Sequence, residues 1–247
     1  MKIVENVAYG SHPAQTLDLY LPEGAVNSLF LYFHGGGLVA GDKGNEASVF
    51  APYLAEKGVA VASANYRMYP QADYPDFIRD AALCVAWAKG YGTQSLSCDT
   101  LFVGGSSAGG YLSMMLCFDP RYLAEVGLDN GAIAGYFHDA GQPTAHFTVL
   151  KNRGIDPRRV IVDETAPLYH VGTAAVPPMR FIVSDQDMKN RYEQIMLTLS
   201  TLKHLEYEGF DHVVMQGKHC AYCKRLDDRG ESVLGQMIFD FIQSVNA

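Results

Sequence analysis

No part of the chain approaches the ~20 consecutive apolar residues that a membrane-crossing helix needs. The N-terminal stretch MKIVENVAYG also lacks the apolar core of a secretory signal peptide. These absences predict a soluble, cytoplasmic protein with no membrane partner. Blocks of like charge are missing too: 27 acidic and 19 basic residues, a formal net charge of −8, are scattered along the sequence. Such a distribution argues against nucleic acid as a partner. There is no internal repeat, low-complexity tract or linker-like change in composition, so the 247 residues, 48% of them hydrophobic, read as one domain with a substantial core. A paired cysteine framework is absent as well. Cys84, Cys98, Cys117, Cys220 and Cys223 are odd in number, and most sit inside apolar runs, as buried free thiols do. Cys220 and Cys223 form a CxxC beside His219, but no second pair stands at zinc-finger spacing, so no metal is expected.

What is present is an alternation of β-rich apolar runs with helical patterns. LDLYL (residues 17–21) alternates with period two, and SLFLYFH (28–34) is a continuous apolar run ending in glycines. NEASVFAPYLAEKG reads as a helix stopped by Gly58, VAVASANY (59–66) as a strand, and DFIRDAALCVAWAKGYG as a helix. TLFVGG (100–105) and AGGYLSMMLCF (108–118) repeat the strand-then-helix order. AIAGYF, MRFIVS and HVVMQ are the later strands, with helices near 191–205 and 231–245. This order predicts a mainly parallel sheet covered on both faces. On such sheets ligands bind beyond the carboxyl ends of the strands, so chemistry is sought in the residues just after each strand.

Three strand ends carry it. After LFLYF comes HGGGLVAG, where consecutive glycines suit either a tight turn or an oxyanion hole formed by the N–H groups of Gly36 and Gly37. A phosphate loop is disfavoured because no Gly-Lys-Ser or Gly-Lys-Thr follows. After TLFVGG two serines compete, and only Ser107, flanked by Gly105 and Gly109, gives G-x-S-x-G. At such a turn the serine is exposed between strand and helix, and the N–H of Ala108 is free to join the oxyanion hole. Serine needs a general base, usually a histidine oriented by a carboxylate. The strand MRFIVS is followed by Asp185 and Asp187, and HVVMQ by GKHCAY with His219. His219 is the one histidine in a loop after a late strand, because His212 opens its strand at the opposite end of the sheet. Asp187, further into its loop, is preferred as the acid over Asp185, which suits a local turn.

Together these segments resemble the α/β-hydrolase fold, specifically the serine esterases of its hormone-sensitive-lipase-like and carbohydrate-esterase-like branches. The resemblance runs from LDLYLP through HGGG, SANYRMYPQADYPDFIRDAALCVAWA, GGSSAGG, DETAPLYHV and SDQDM to GKHCAY. It implies an α/β-hydrolase fold: a mostly parallel central sheet with helices on both faces and a small lid. It makes Ser107 the nucleophile, Asp187 the acid, His219 the base, and Gly36, Gly37 and Ala108 the oxyanion donors. NYRMYPQADYP is expected to be scaffold, with Tyr66, Arg67 and Asp80 in a buried polar network. Two departures stand out: Ser106 precedes the nucleophile where many relatives carry an acid, and Cys220 follows His219 where many carry glycine or an aromatic. LDLYLP begins by residue 17, which leaves no long N-terminal helical cap and favours a compact enzyme.

The lid is expected at residues 138–163, where His138, Gln142, Thr144 and His146 are candidates to line a substrate pocket; a solvated loop packed by Phe147 and Leu150 is the plainer alternative. The expected function is serine carboxylic-ester hydrolysis through an acyl-enzyme, with no cofactor, on short-chain, acetyl-like esters such as acetylated carbohydrates or hydroxycinnamate esters. An amidase, formamidase or peptidase of the same fold is the rival enzyme, and a catalytically dead binding module the rival of another class. A small-molecule ester is the expected partner, with self-association left open.

Overall fold

The computed structural model describes residues 1–246. Its spine is an eight-stranded sheet: β1 (Lys2–Ala8), β2 (Thr16–Leu21), β3 (Ser28–Phe33), β4 (Val59–Ala64), β5 (Leu101–Ser106), β6 (Gly135–Asp139), β7 (Met179–Gln186) and β8 (Phe210–Lys218), in the order β1-β2-β4-β3-β5-β6-β7-β8. β1 pairs antiparallel with β2, and β2 antiparallel with β4; all remaining pairs are parallel. The central strands SLFLYF, VAVASA and LFVGGS are buried along their whole length. Continuous apolar runs are what a parallel strand covered on both sides requires.

Alternation along β3 divides the core into two layers. Phe30 and Tyr32 point to the side covered by α1 (Ala47–Glu56) and α8 (Val233–Asn246), where Phe50, Leu54, Ile238 and Phe241 pack. Leu29, Leu31 and Phe33 point to the other side, under α2 (Asp76–Tyr91), α3 (Ala108–Phe118) and α7 (Arg191–His204). Each fully buried Phe or Leu contributes roughly 1.5–3 kcal/mol relative to exposure. Every residue of α3 is buried, which explains its lack of a polar face. Three short helices complete the chain: α4 (Pro120–Glu125), α5 (Phe147–Asn152) and α6 (Pro167–His170). Among the described residues no helix is long and apolar enough to cross a membrane.

Three expectations change. The first seven-residue strand was not foreseen, because Lys2, Glu5 and Asn6 interrupt the alternation of KIVENVA; β1 is an edge strand, and polar side chains suit an edge. The segment expected as a lid begins inside β6, since His138 and Asp139 are that strand's last residues and both are fully buried. The rest of it holds a local core of its own, in which Ala145, Leu150 and Ala166 pack with Ile155 and Ile161. The expected polar network also divides. Half-buried Arg67 forms a fork-shaped pair with buried Asp80, joined by Gln15, whereas the Tyr66 hydroxyl donates to the main-chain oxygen of His34 at 2.8 Å.

Candidate active site

The turn from β5 into α3 holds Ser107 at φ 57°, ψ −109°, a left-handed backbone that a residue with a Cβ adopts only under constraint. The small neighbours make the constraint tolerable. A Cβ on Gly109 would stand 1.8 Å from the main-chain oxygen of Phe33, and one on Gly105 2.6 Å from the carbonyl carbon of Gly109. The spacing G-x-S-x-G is therefore a steric requirement here. The Ser107 N–H is fastened to the Asp139 main-chain oxygen at 2.7 Å, and the residue is partly exposed where the helix begins.

The last two parallel strands deliver its neighbours. His219, just beyond β8, brings Nε2 to 2.8 Å from Ser107 Oγ and Nδ1 to 2.5 Å from Asp187 Oδ1. Carboxylates accept only, so the Nδ1 proton faces Asp187 and Nε2 is free to accept from the serine hydroxyl. The Asp187 side chain is fully buried just beyond β7, and also accepts from the N–H of Met188 at 2.7 Å and of Ser184 at 3.2 Å. Burial works against its charge, but the His219 hydrogen bond and these N–H groups outweigh it and hold the carboxyl below its usual range. Burial likewise opposes protonation of His219, yet the bond to Asp187 and the neighbouring Cys220 sulfur raise the imidazole above its usual range. Asp185 instead accepts from the Gly217 N–H at 2.8 Å, pinning β8's end to β7.

The glycine loop after β3 lies alongside. A Cβ on Gly35 would fall 3.3 Å from Ser107 Cβ, and Gly36 and Gly37 sit at φ 121° and 65°. Among the described residues the N–H groups of Gly36, Gly37 and Ala108 have no protein acceptor. His34 is a support of this loop. Its ring stacks on Tyr66 at 4.6 Å, bonds the Gly35 oxygen, and is kept neutral by burial.

Of the four residues expected to line a substrate pocket, only Gln142 borders the cavity enclosed by Phe147, Met188 and Arg191. His138 is a correction. Its ring is wedged among Tyr136, Phe118 and Phe181 with Nδ1 on Ser113, and burial drives its pKa down to about 3, which keeps it a neutral core residue. Thr144 is buried between Gln142 and Gln194, and His146 caps α5 by accepting from the Thr148 N–H while stacking on Phe147.

Sequence reasoning missed Asp139. Its carboxylate, fully buried beneath the elbow, accepts from the hydroxyls of Ser106 and Tyr222 and lies 3.4 Å from Cys223 Sγ; Tyr32 in turn donates to Ser106 at 2.8 Å. Burial raises its pKa against those donors. An acid at the end of β6 was a readable signal, since every other site residue also follows a strand. The ligand atoms of Asp139, Cys220 and Cys223 come within 4.8 Å of one another, the one such His/Cys/Asp/Glu group among the described residues. Within it Cys223 donates to the Asp139 carboxylate, whose other donors are Ser106 and Tyr222.

The model of a family described as alpha/beta hydrolase fold matches residues 30–137. The chain has the α/β-hydrolase fold. Solved α/β-hydrolase structures superpose along its whole length: esterase B from Lactobacillus rhamnosis at a TM-score of 0.79 with 19% identity, covering 99% of this chain and 86% of that one, and a truncated carbohydrate esterase from gut microbiota at 0.78 with 19% identity, covering 100% and 97%. By sequence, the esterase LipC of Mycobacterium tuberculosis (strain ATCC 25618 / H37Rv) is 27% identical over 234 residues, 85% of this chain. A probable carboxylic ester hydrolase, LipM, from the same organism is 35% identical over 95 residues, 36% of this chain and 21% of its own. The match spans 58% of the length of LipC.

Proposed function

We propose that the chain is a serine carboxylic-ester hydrolase that works through an acyl-enzyme on Ser107. The observation that carries the reading is the continuous hydrogen-bonded relay from Ser107 Oγ through His219 to the buried Asp187, built on a strained strand-to-helix turn. His219 Nε2 takes the proton as Ser107 Oγ attacks the ester carbonyl. The N–H groups of Gly36, Gly37 and Ala108 receive the oxyanion, with the positive end of α3 behind Ala108. His219 returns the proton to the departing alcohol, and water repeats the sequence to release the acid. Asp187 fixes the imidazole's tautomer and stabilises its charged form. No step calls for a metal or organic cofactor.

The sequence likeness to LipC and LipM, both named as ester hydrolases, supports ester cleavage. The likeness to a carbohydrate esterase, together with the short segment over the strand ends, favours short acyl groups such as acetyl, on a sugar or a comparable alcohol. A fluorophosphonate tests the reaction class directly: stoichiometric labelling of Ser107, abolished in Ser107→Ala, is expected. Folded protein that stays unlabelled would mean a binding module. Faster turnover of aryl amides or formylkynurenine than of p-nitrophenyl acetate would replace the esterase reading with an amidase.

A further inference from the structure

Beside the candidate active site lies a cavity of about 520 Å³, within the size range of small-molecule sites. Phe147 forms one wall and packs against the glycine loop, since a Cβ on Gly37 would come 3.2 Å from its ring. Met188, next in the chain to Asp187, forms another. The lining includes Arg158, Arg159, Lys189 and Arg191 and not one Asp or Glu. Arg158 is already paired with Asp156 at the surface. The other three cations have no such partner among the described residues.

Arg191 is the unusual one. It is 4% exposed, and its guanidinium donates only to neutral oxygens, the main-chain oxygen of Ala140 and Gln142 Oε1 at 3.2 Å. Two other cations set into the fold do have a carboxylate partner, Arg67 in Asp80 and Lys43 in Asp18. The nearby carboxylate, Asp187, is already taken by His219. Arg191 is also the first residue of α7, a 14-residue helix whose N-terminal dipole has the same sign as the guanidinium. A buried cation without a counter-charge, held at the positive end of a helix, is costly unless an anion completes the site.

We propose that this cavity receives a carboxylate carried by the ester substrate, with Arg191 as its buried ligand and Lys189 and Arg159 at the mouth. The proposal rests on the esterase reading and narrows it to anionic esters. A planar carboxylate matches the fork of a guanidinium, and the two cations at the mouth draw such substrates in.

Two substrate pairs test it. p-Nitrophenyl hemisuccinate against p-nitrophenyl butyrate places the charge on the acyl side, and 4-acetoxybenzoate against phenyl acetate places it on the alcohol side. In one pair the anionic ester should be favoured in kcat/KM by ~10-fold or more, as expected for a charged hydrogen bond. That ratio should collapse towards one in Arg191→Gln, mainly through KM. It should fall partway in the double variant Lys189→Gln/Arg159→Gln, whose exposed positions keep the test open if Arg191→Gln does not fold. Ratios of one or less in both pairs, or a ratio that the double variant leaves unchanged, overturn the proposal while the esterase reading stands. If neither pair is hydrolysed and fluorophosphonate does not label Ser107, the esterase reading has failed. Calorimetry with succinate and with benzoate then decides: binding weakened at least ~10-fold at raised salt or in the double variant upholds the cavity as a carboxylate site, and no binding overturns it.

Discussion

Two adjacent serines meet opposite environments. The Ser107 hydroxyl stands at the helix entrance against His219, while Ser106 points into the sheet between Tyr32 and Asp139. Ser107→Ala and His219→Ala should each lower ester turnover by ~10⁴-fold or more, because a relay that acts as a unit is lost with any essential member. Ser106→Ala should spare most turnover and instead lower stability by about 1–3 kcal/mol, since Tyr32 and one Asp139 oxygen lose a buried partner; urea denaturation measures it. The reverse pattern would mean that the turn presents the other hydroxyl. The raised pKa of His219 also has a sign that can be measured. Only the neutral imidazole accepts the serine proton, so kcat/KM should climb as pH rises through that raised value and fall away on the acid side. Asp187→Asn removes the charge that favours imidazolium. The acid limb should then move to lower pH while the maximal rate drops severely, and a limb that stays in place would remove Asp187 as the cause. Asp185→Asn, which touches only the Gly217 N–H, should be mild by comparison.

At the scale of elements, the crossing of α3 over the end of β3 leaves no room for a side chain. Gly109→Ala puts a methyl group 1.8 Å from the Phe33 oxygen, an atom of a central strand that cannot yield. The variant is expected to lose both stability and labelling by fluorophosphonate, even though the relay residues are all retained. Normal labelling at normal thermal stability would show that the elbow is looser than its geometry implies. The elbow was legible in the sequence because sterics write themselves into glycine spacing. The strands were legible for a similar reason: six-residue runs such as SLFLYF and VAVASA have no charged residue and a single serine each, so they read as interior. β1 was not, because an edge strand is selected by a single neighbour and tolerates Lys2, Glu5 and Asn6. The start of the expected lid was misplaced because HD after GYF looks like the beginning of a polar loop. In the fold, Asp139 is matched by Ser106 and Tyr222 from distant parts of the chain, and His138 is enclosed by aromatic rings.

Taken as a whole, the molecule gathers its candidate chemistry at one rim of the sheet, from the ends of β3, β5, β7 and β8, and the opposite rim contributes none of it. That rim could be read from the order of motifs, since each one followed an apolar run. The cavity beside it could not. It depends on Arg191, Phe147 and Arg159, three residues carried by segments with no sequence pattern in common and brought together only in the fold.

The His219–Ser107 bond joins positions 112 residues apart, and the His219–Asp187 bond positions 32 apart. Neither can form until β8 has docked on β7, the outermost pairing of the parallel sheet. Assembly of the candidate site is thus expected to wait on the docking of the last strand. In stopped-flow refolding, far-ultraviolet circular dichroism should recover ahead of ester turnover, and simultaneous recovery would show that the last strand does not lag. A chain truncated before β8 lacks His219 and is therefore expected to resist fluorophosphonate, however much of its remaining backbone is ordered.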